Sequence, residues 1–136
     1  YQSNKRDPSV KGLKPHSGHV MGTRESFLPF HWIIYPNGSV YCGLQPTLMR
    51  IGGDLAPYQV AWSLGNWETD CESLSMAFVL DGRQRMPTME QIKTANVLIE
   101  KARALVPDVT VAPHYQFDPH TNCPGWEFEK WREKLH

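Results

Sequence analysis

The sequence predicts an α/β fold, and two observations predict it. Residues 73–112 read as strand, helix, strand, a unit that is almost always a right-handed crossover between parallel strands. Ahead of that unit, residues 30–44 read as a β-hairpin. The chain has 136 residues, the size of one domain with a single core. It divides into an irregular N-terminal arm, 1–28, and a folded domain, 29–136.

The hairpin carries the clearest signal. Phe30 to Tyr35 is aromatic and β-branched, as strands prefer. Pro36-Asn37-Gly38 is turn chemistry, because Asn-Gly accepts positive φ, and Ser39 to Leu44 is the returning strand. His31 lies in the first strand, where a histidine is more often packed than a ligand. Residues 45–57, with Gly52-Gly53 and two prolines, are expected to be loop. Tyr58 to Leu64 is expected to be a short strand. Gly65 to Glu72 is expected to be a second loop, whose Asn66, Trp67 and Asp70 could line a cleft.

Ser73 to Leu80 is nearly continuously apolar, the character of a buried central strand, and Asp81-Gly82 ends it. Thr88-Met89-Glu90-Gln91 is a capping box. Ile92, Ala95, Ile99, Ala102 and Val106 then recur at helical spacing, which predicts a helix over 88–105 closed by Pro107. Val109 to Ala112 is expected to be the next short strand. Gly125 to Leu135 is expected to be a closing helix with Phe128, Trp131 and Leu135 on its packed face. The arm has no helical or strand period and is broken by Pro8 and Pro15.

Formal net charge is zero, so bulk charge gives no argument for nucleic acid as a partner. The arm alone carries a surplus of three positive charges, which would suit an acidic polymer such as a bacterial wall. No apolar run reaches membrane-spanning length. The three cysteines, Cys42, Cys71 and Cys123, are an odd count, so at least one thiol is free or metal-bound. The chain shows neither a signal peptide nor an initiator Met at Tyr1, so its start is expected to be trimmed or to lie upstream. A monomer is expected.

Chemistry concentrates in residues 111–125. A β-branched run leads into His114, a polar loop follows, and the loop ends at Cys123-Pro124-Gly125. Imidazole and thiolate are ligands that zinc prefers, and a catalytic zinc takes three protein ligands with one open position. His114 and Cys123 are the two evident ligands. By the strand–helix–strand reading, His114 follows the carboxyl end of a strand, where ligands bind in such sheets. His16 and His19 in the arm are surface histidines or the source of the third ligand. Thr121 could hydrogen-bond a developing oxyanion, and Asp118 and His120 could orient a ligand or shuttle protons, or simply cap the turn.

Three segments, in order, resemble a zinc-dependent N-acetylmuramoyl-L-alanine amidase of the phage-lysozyme and peptidoglycan-recognition-protein type (amidase type 2). Phe30-His31-Trp32-Ile33-Ile34 through Gly38 resembles that family's Tyr-His-Phe strand and Asp-Gly turn. Ala61-Trp62-Ser63-Leu64-Gly65, then Ser73 to Gly82, resemble its His-Ala-Gly loop and the buried strand that follows. His114 through Gly125 resembles its His, variable loop, Cys-Pro-Gly segment.

The resemblance implies a central mixed β-sheet flanked by helices, with residues 29–136 as the catalytic domain. It implies one Zn2+, peptidoglycan as substrate and cleavage of the amide between N-acetylmuramic acid and L-alanine at the cell wall. The protein would then be secreted, periplasmic, or phage-encoded and released at lysis. His114 and Cys123 would be the second and third ligands, Thr121 the catalytic side chain, and His31, Ser63, Asn66 and Trp67 the substrate-binding residues. The chain departs from the pattern at four points. The family's first-ligand His run is missing, so that ligand falls to His16, to His19 or to a residue upstream of Tyr1. Phe30 stands for the family Tyr, Ser63 for the family His, and Val79 where some members have Glu. A non-catalytic peptidoglycan-binding module on the same fold is the alternative these departures imply.

Overall fold

A computed structural model of the chain describes residues 2–3, 30–44, 48–51, 54–57, 60–61, 63–64, 66–81, 86–125 and 127–136. Its elements are β1 (Gln2–Ser3), β2 (Trp32–Ile34), β3 (Val40–Cys42), β4 (Leu48–Ile51), β5 (Asp54–Pro57), α1 (Trp67–Cys71), β6 (Met76–Phe78), β7 (Leu80–Asp81), α2 (Met89–Leu105) and α3 (Phe128–Arg132). A 3₁₀ turn covers His114–Gln116.

The central sheet is mixed, as expected. β2 sits in the middle, antiparallel to β3 and parallel to β6. One residue beyond β6, β7 pairs in parallel with β1. Alternation along β2 sends side chains to both faces. Ile33 packs with Ala77 and Val79 on one face, against Phe30 and Tyr35. Ile34 packs on the other with Ala95 and Leu98 of α2, flanked by Trp32, Met76 and Phe78. A third cluster packs Ile92 of α2 against Phe128 and Trp131 of α3, whose rings meet edge to face, and Trp131 also meets Phe78 of β6 edge to face.

Helix α2 is anchored at its first turn. Thr88 and Gln91 form the capping box, and the Thr88 hydroxyl also donates to the carbonyl of Pro36 at 2.6 Å. Thr94 donates to the carbonyl of Gly38. Gly38 has φ +84°, and a Cβ there would meet Glu90 at 3.1 Å, so both the turn and the packed helix require glycine. Gln91 is fully buried, and its amide nitrogen donates to the carbonyls of Ile34 and Val79, both at 2.9 Å. It thereby supplies a hydrogen bond to Val79, the residue that falls between β6 and β7.

The structure corrects several expectations. Residues 109–113 form no strand. The Val109 amide bonds back to the Val106 carbonyl, a local turn, and no neighbour among the described residues offers these residues a ladder. The strand–helix–strand crossover is therefore absent, and the parallel pairs are β2 with β6 and β1 with β7. His114 accordingly does not follow the carboxyl end of a strand. The expected loop 45–57 contains the antiparallel strands β4 and β5, paired from Leu48 with Pro57 to Ile51 with Asp54. The expected loop 65–72 contains α1, because the Asn66 side chain caps it by accepting from the Thr69 amide. Ala61, Ser63 and Leu64, expected in a strand, lie outside any. The 73–80 strand is shorter, and the closing helix spans only 128–132. Gln2–Ser3, expected within the irregular arm, pair with β7.

Candidate functional site

The residues singled out in the sequence gather into two groups. One stands at the start of β2 and β6. His31 is completely buried, and its Nδ1 accepts the backbone N–H of Ser75 at 3.0 Å. That acceptor role assigns the proton of the neutral ring to Nε2. The Ser75 carbonyl receives the amides of both His31 and Trp32, which ties the two strands together where they begin. The Ser75 hydroxyl donates to Ser63 Oγ at 2.9 Å. Ser63 and Leu64 in turn donate their amides to Oδ1 of Asp70, a carboxylate only 3% exposed. The 63–70 segment is thus clasped to the sheet edge by one polar chain running from Asp70 through Ser63 and Ser75 to His31.

Asn66 and Trp67 stand on the outer side of this chain. Asn66 is exposed and used as the cap of α1. Trp67, the first residue of that helix, is 57% exposed, far more than a tryptophan ordinarily is. His31 itself is sealed in the interior, so its ring cannot touch a ligand in this conformation. Of the expected substrate-binding residues, Asn66 and Trp67 face solvent, and Ser63 is half-buried between them and the sheet.

The second group is the 114–125 loop. The Tyr115 amide donates to the Cys123 carbonyl at 2.9 Å, which closes the loop at its neck and brings the backbones on either side of His114 and Cys123 together. The 3₁₀ turn begins at His114, whose carbonyl accepts from Phe117 and Asp118. Asp118 Oδ1 accepts from the His120 amide, and Thr121 Oγ1 accepts from the Cys123 amide at 3.1 Å, so each short polar side chain fixes one corner. Gly125, at φ +117°, turns the chain out of Cys123-Pro124, whose peptide bond is cis, toward α3.

Nε2 of His114 is buried and has no hydrogen-bond partner among the described residues. Asp118 Oδ2 approaches it to 3.8 Å, too far for a hydrogen bond. Buried polar atoms are nearly always satisfied, so this nitrogen, like Nε1 of Trp131, has room for a partner beyond the described residues. Burial also pushes the Cys123 thiol above its ordinary value, whereas a bound cation would favour the thiolate. An orphaned imidazole nitrogen and a half-buried thiol on one closed loop suit a zinc ion. Among the described residues, no group of three His, Cys, Asp or Glu side chains stands close enough to hold a metal. His16 and His19 lie outside the described residues.

Beside the loop, the Tyr115 hydroxyl donates to Oε1 of Glu129 at 2.7 Å. This hydrogen bond raises the phenol pKa and lowers that of the carboxyl. With the Tyr115–Phe128 ring contact it fastens the 3₁₀ turn to α3.

Two solved structures share this architecture. N-acetylmuramoyl-L-alanine amidase LysC from Clostridium intestinale URNW aligns over 98% of this chain and 80% of its own, with a TM-score of 0.63 at 14% identity. The endolysine N-acetylmuramoyl-L-alanine amidase LysCS from the same organism aligns over 100% and 81%, with a TM-score of 0.61 at 13% identity. The chain has the fold of these amidases. No protein-family model and no curated protein matches it. At such identity the likeness is one of architecture, and chemistry must be argued from the site.

The polar chain has two more members, Asp70, which the sequence placed among the cleft candidates, and Ser75, which it did not single out. Asp70 is legible as an acid just inside a capped helix, but its burial depends on the amides of Ser63 and Leu64 folding over it. Ser75 has no local signal, because its role arises only from its place between β2 and the 63–70 segment.

Proposed function

We propose that this chain is a peptidoglycan hydrolase that cleaves the amide between N-acetylmuramic acid and L-alanine, with residues 29–136 as the amidase-like unit. The observation that carries the reading is the orphaned, buried Nε2 of His114 on a loop closed against Cys123, within an amidase fold. His114 and Cys123 would hold zinc, with the third donor coming from His16, His19 or a residue before Tyr1. Zinc, when bound, lowers the pKa of a coordinated water and polarises a carbonyl. Thr121 uses its Oγ1 as an acceptor for the Cys123 amide, which orients the hydroxyl and leaves its proton to stabilise the developing oxyanion. Asn66 and the exposed ring of Trp67 form a platform for the glycan–peptide substrate. The partner is the wall itself, met by a monomer. Among the described residues no helix is long and apolar enough to cross a membrane.

The test is metal content together with hydrolysis. Purified protein should carry one zinc per chain and release L-alanine amino groups from purified wall, and Cys123→Ser should lose both. A protein that binds no zinc and releases no amino groups refutes the reading.

A second reading, a peptidoglycan-binding module that has lost catalysis, is favoured by one observation: among the described residues no third donor joins His114 and Cys123. It requires co-sedimentation with wall that is unchanged by chelator and unaccompanied by hydrolysis.

A further inference from the structure

A second concave region lies away from the polar chain at His31. It is a cleft of about 370 Å³ between the last turn of α2, residues 110–111, and the end of α3 with the segment that follows it. That volume falls within the range of small-molecule sites. Two guanidinium groups from different elements line it, Arg103 and Arg132. Both are tethered. Arg103 Nε donates to the Val109 carbonyl at 3.3 Å. Arg132 lies over the Phe128 ring at 5.9 Å and reaches Oε2 of Glu129 with one nitrogen at 3.4 Å. An arginine has five N–H donors, so each keeps several that have no partner among the described residues. Tethering lowers the conformational entropy lost when those donors engage a ligand.

The rest of the lining is mixed in a specific way. Glu133 is the only acidic side chain among the described residues that line it, His136 contributes an imidazole, Thr110 contributes a hydroxyl, and Val111 and Leu135 contribute half-buried apolar surface. A plain anion would meet Glu133 as a like charge. A plain cation would meet two guanidiniums. A zwitterion satisfies both, and the small apolar walls suit side chains the size of alanine.

We infer that this cleft binds a short zwitterionic peptide, its carboxylate on Arg103 and Arg132, its ammonium on Glu133 and its small side chains on Val111 and Leu135. The inference concerns binding alone and needs neither zinc nor hydrolysis. If it is joined to the amidase reading, the ligand is the released wall peptide, because cleavage frees an alanine ammonium that the intact substrate lacks. Glu133 would then separate product from substrate.

The experiment is an NMR titration of the full, metal-free chain with L-alanyl-L-alanine, N-acetyl-L-alanyl-L-alanine and L-alanyl-L-alanine amide. The dipeptide is expected to shift the amides of Thr110, Val111 and Leu135 saturably, with a dissociation constant on the order of 1 mM, as suits a ligand of this size. Each blocked peptide should bind about tenfold more weakly or worse, since each removes one charge-assisted contact. Glu133→Gln should erase the preference over the N-acetyl peptide, and Arg132→Gln should erase the preference over the amide. Both residues are exposed, so either variant alone serves if the other fails to fold. Shifts confined to other residues, no saturable shift, or equal response to all three peptides overturns the inference. Because the titration uses metal-free protein, failure here leaves the hydrolase reading standing, and failure to hydrolyse wall leaves this one standing.

Discussion

His31 and His114 both belong to the segments that resemble the amidases, yet the fold treats them in opposite ways. His31 has no exposed surface, and its Nδ1 is satisfied by the Ser75 amide. The His114 ring is about a quarter exposed, but its Nε2 is buried and has no partner among the described residues. A satisfied, sealed imidazole serves as a structural hydrogen-bond node. The other, at a loop neck, keeps one nitrogen that no described residue engages. Residue type therefore does not distinguish the two histidines, whereas the state of each ring nitrogen does.

The sharpest way to break this contrast is to remove each ring in turn. His114→Ala is expected to abolish wall hydrolysis and zinc retention. It should shift the stability of the metal-free protein by no more than about 0.5–1 kcal/mol, since its Nε2 makes no hydrogen bond to lose. Metal analysis and thermal unfolding on the same sample would check it, and a large loss of metal-free stability would make His114 structural after all. His31→Ala should do the reverse. Deleting a fully buried ring and stranding the Ser75 amide should cost roughly 2–4 kcal/mol by denaturant unfolding, with zinc content retained in the folded fraction.

Two smaller effects refine the comparison. Ser75→Ala removes the hydroxyl bond to Ser63 but keeps the backbone amide on His31, so it should cost about 1 kcal/mol and leave β2 and β6 paired. A loss as large as that of His31→Ala would place the weight of the polar chain on Ser75 instead. The smallest effect belongs to Tyr115→Phe, read from the pH dependence of melting. The Tyr115 hydrogen bond holds the Glu129 carboxyl below its ordinary pKa, so this pair stabilises the fold above the ordinary carboxyl range, and that contribution fades as pH falls through the lowered value. The phenol is shifted upward chiefly by the same bond, so its contribution is present below the ordinary tyrosine range and is lost as pH rises through the raised value. Tyr115→Phe should flatten both ends of the profile relative to the parent, and unchanged ends would show the bond contributes nothing in solution.

Gln91 shows where sequence reading stops. As the fourth residue of the Thr88 capping box it is legible from spacing alone. That its amide nitrogen also donates to the Ile34 and Val79 carbonyls is not, because those acceptors lie 57 and 12 positions away. The Asn66 cap of α1 was legible in principle, since an Asn before an acidic first turn is a helix start, but Gly65 and the short length hid it. Val109 to Ala112 has strand composition and forms no strand. A strand requires a partner, and composition cannot supply one.

The sequence by itself determined the elements whose causes are local. These are the β2–β3 hairpin with its Asn-Gly turn, the capped and striped helix α2, and a His–loop–Cys segment closed by Pro-Gly. Periodicity, caps and turn residues act within a few positions, so the chain states them outright. The tertiary structure alone decided which strands run parallel, that Asp70 and Ser75 link Ser63 to His31, and that His114 keeps a buried nitrogen with no partner among the described residues. Those outcomes depend on which distant groups reach one another once the core closes, and no local rule contains that information.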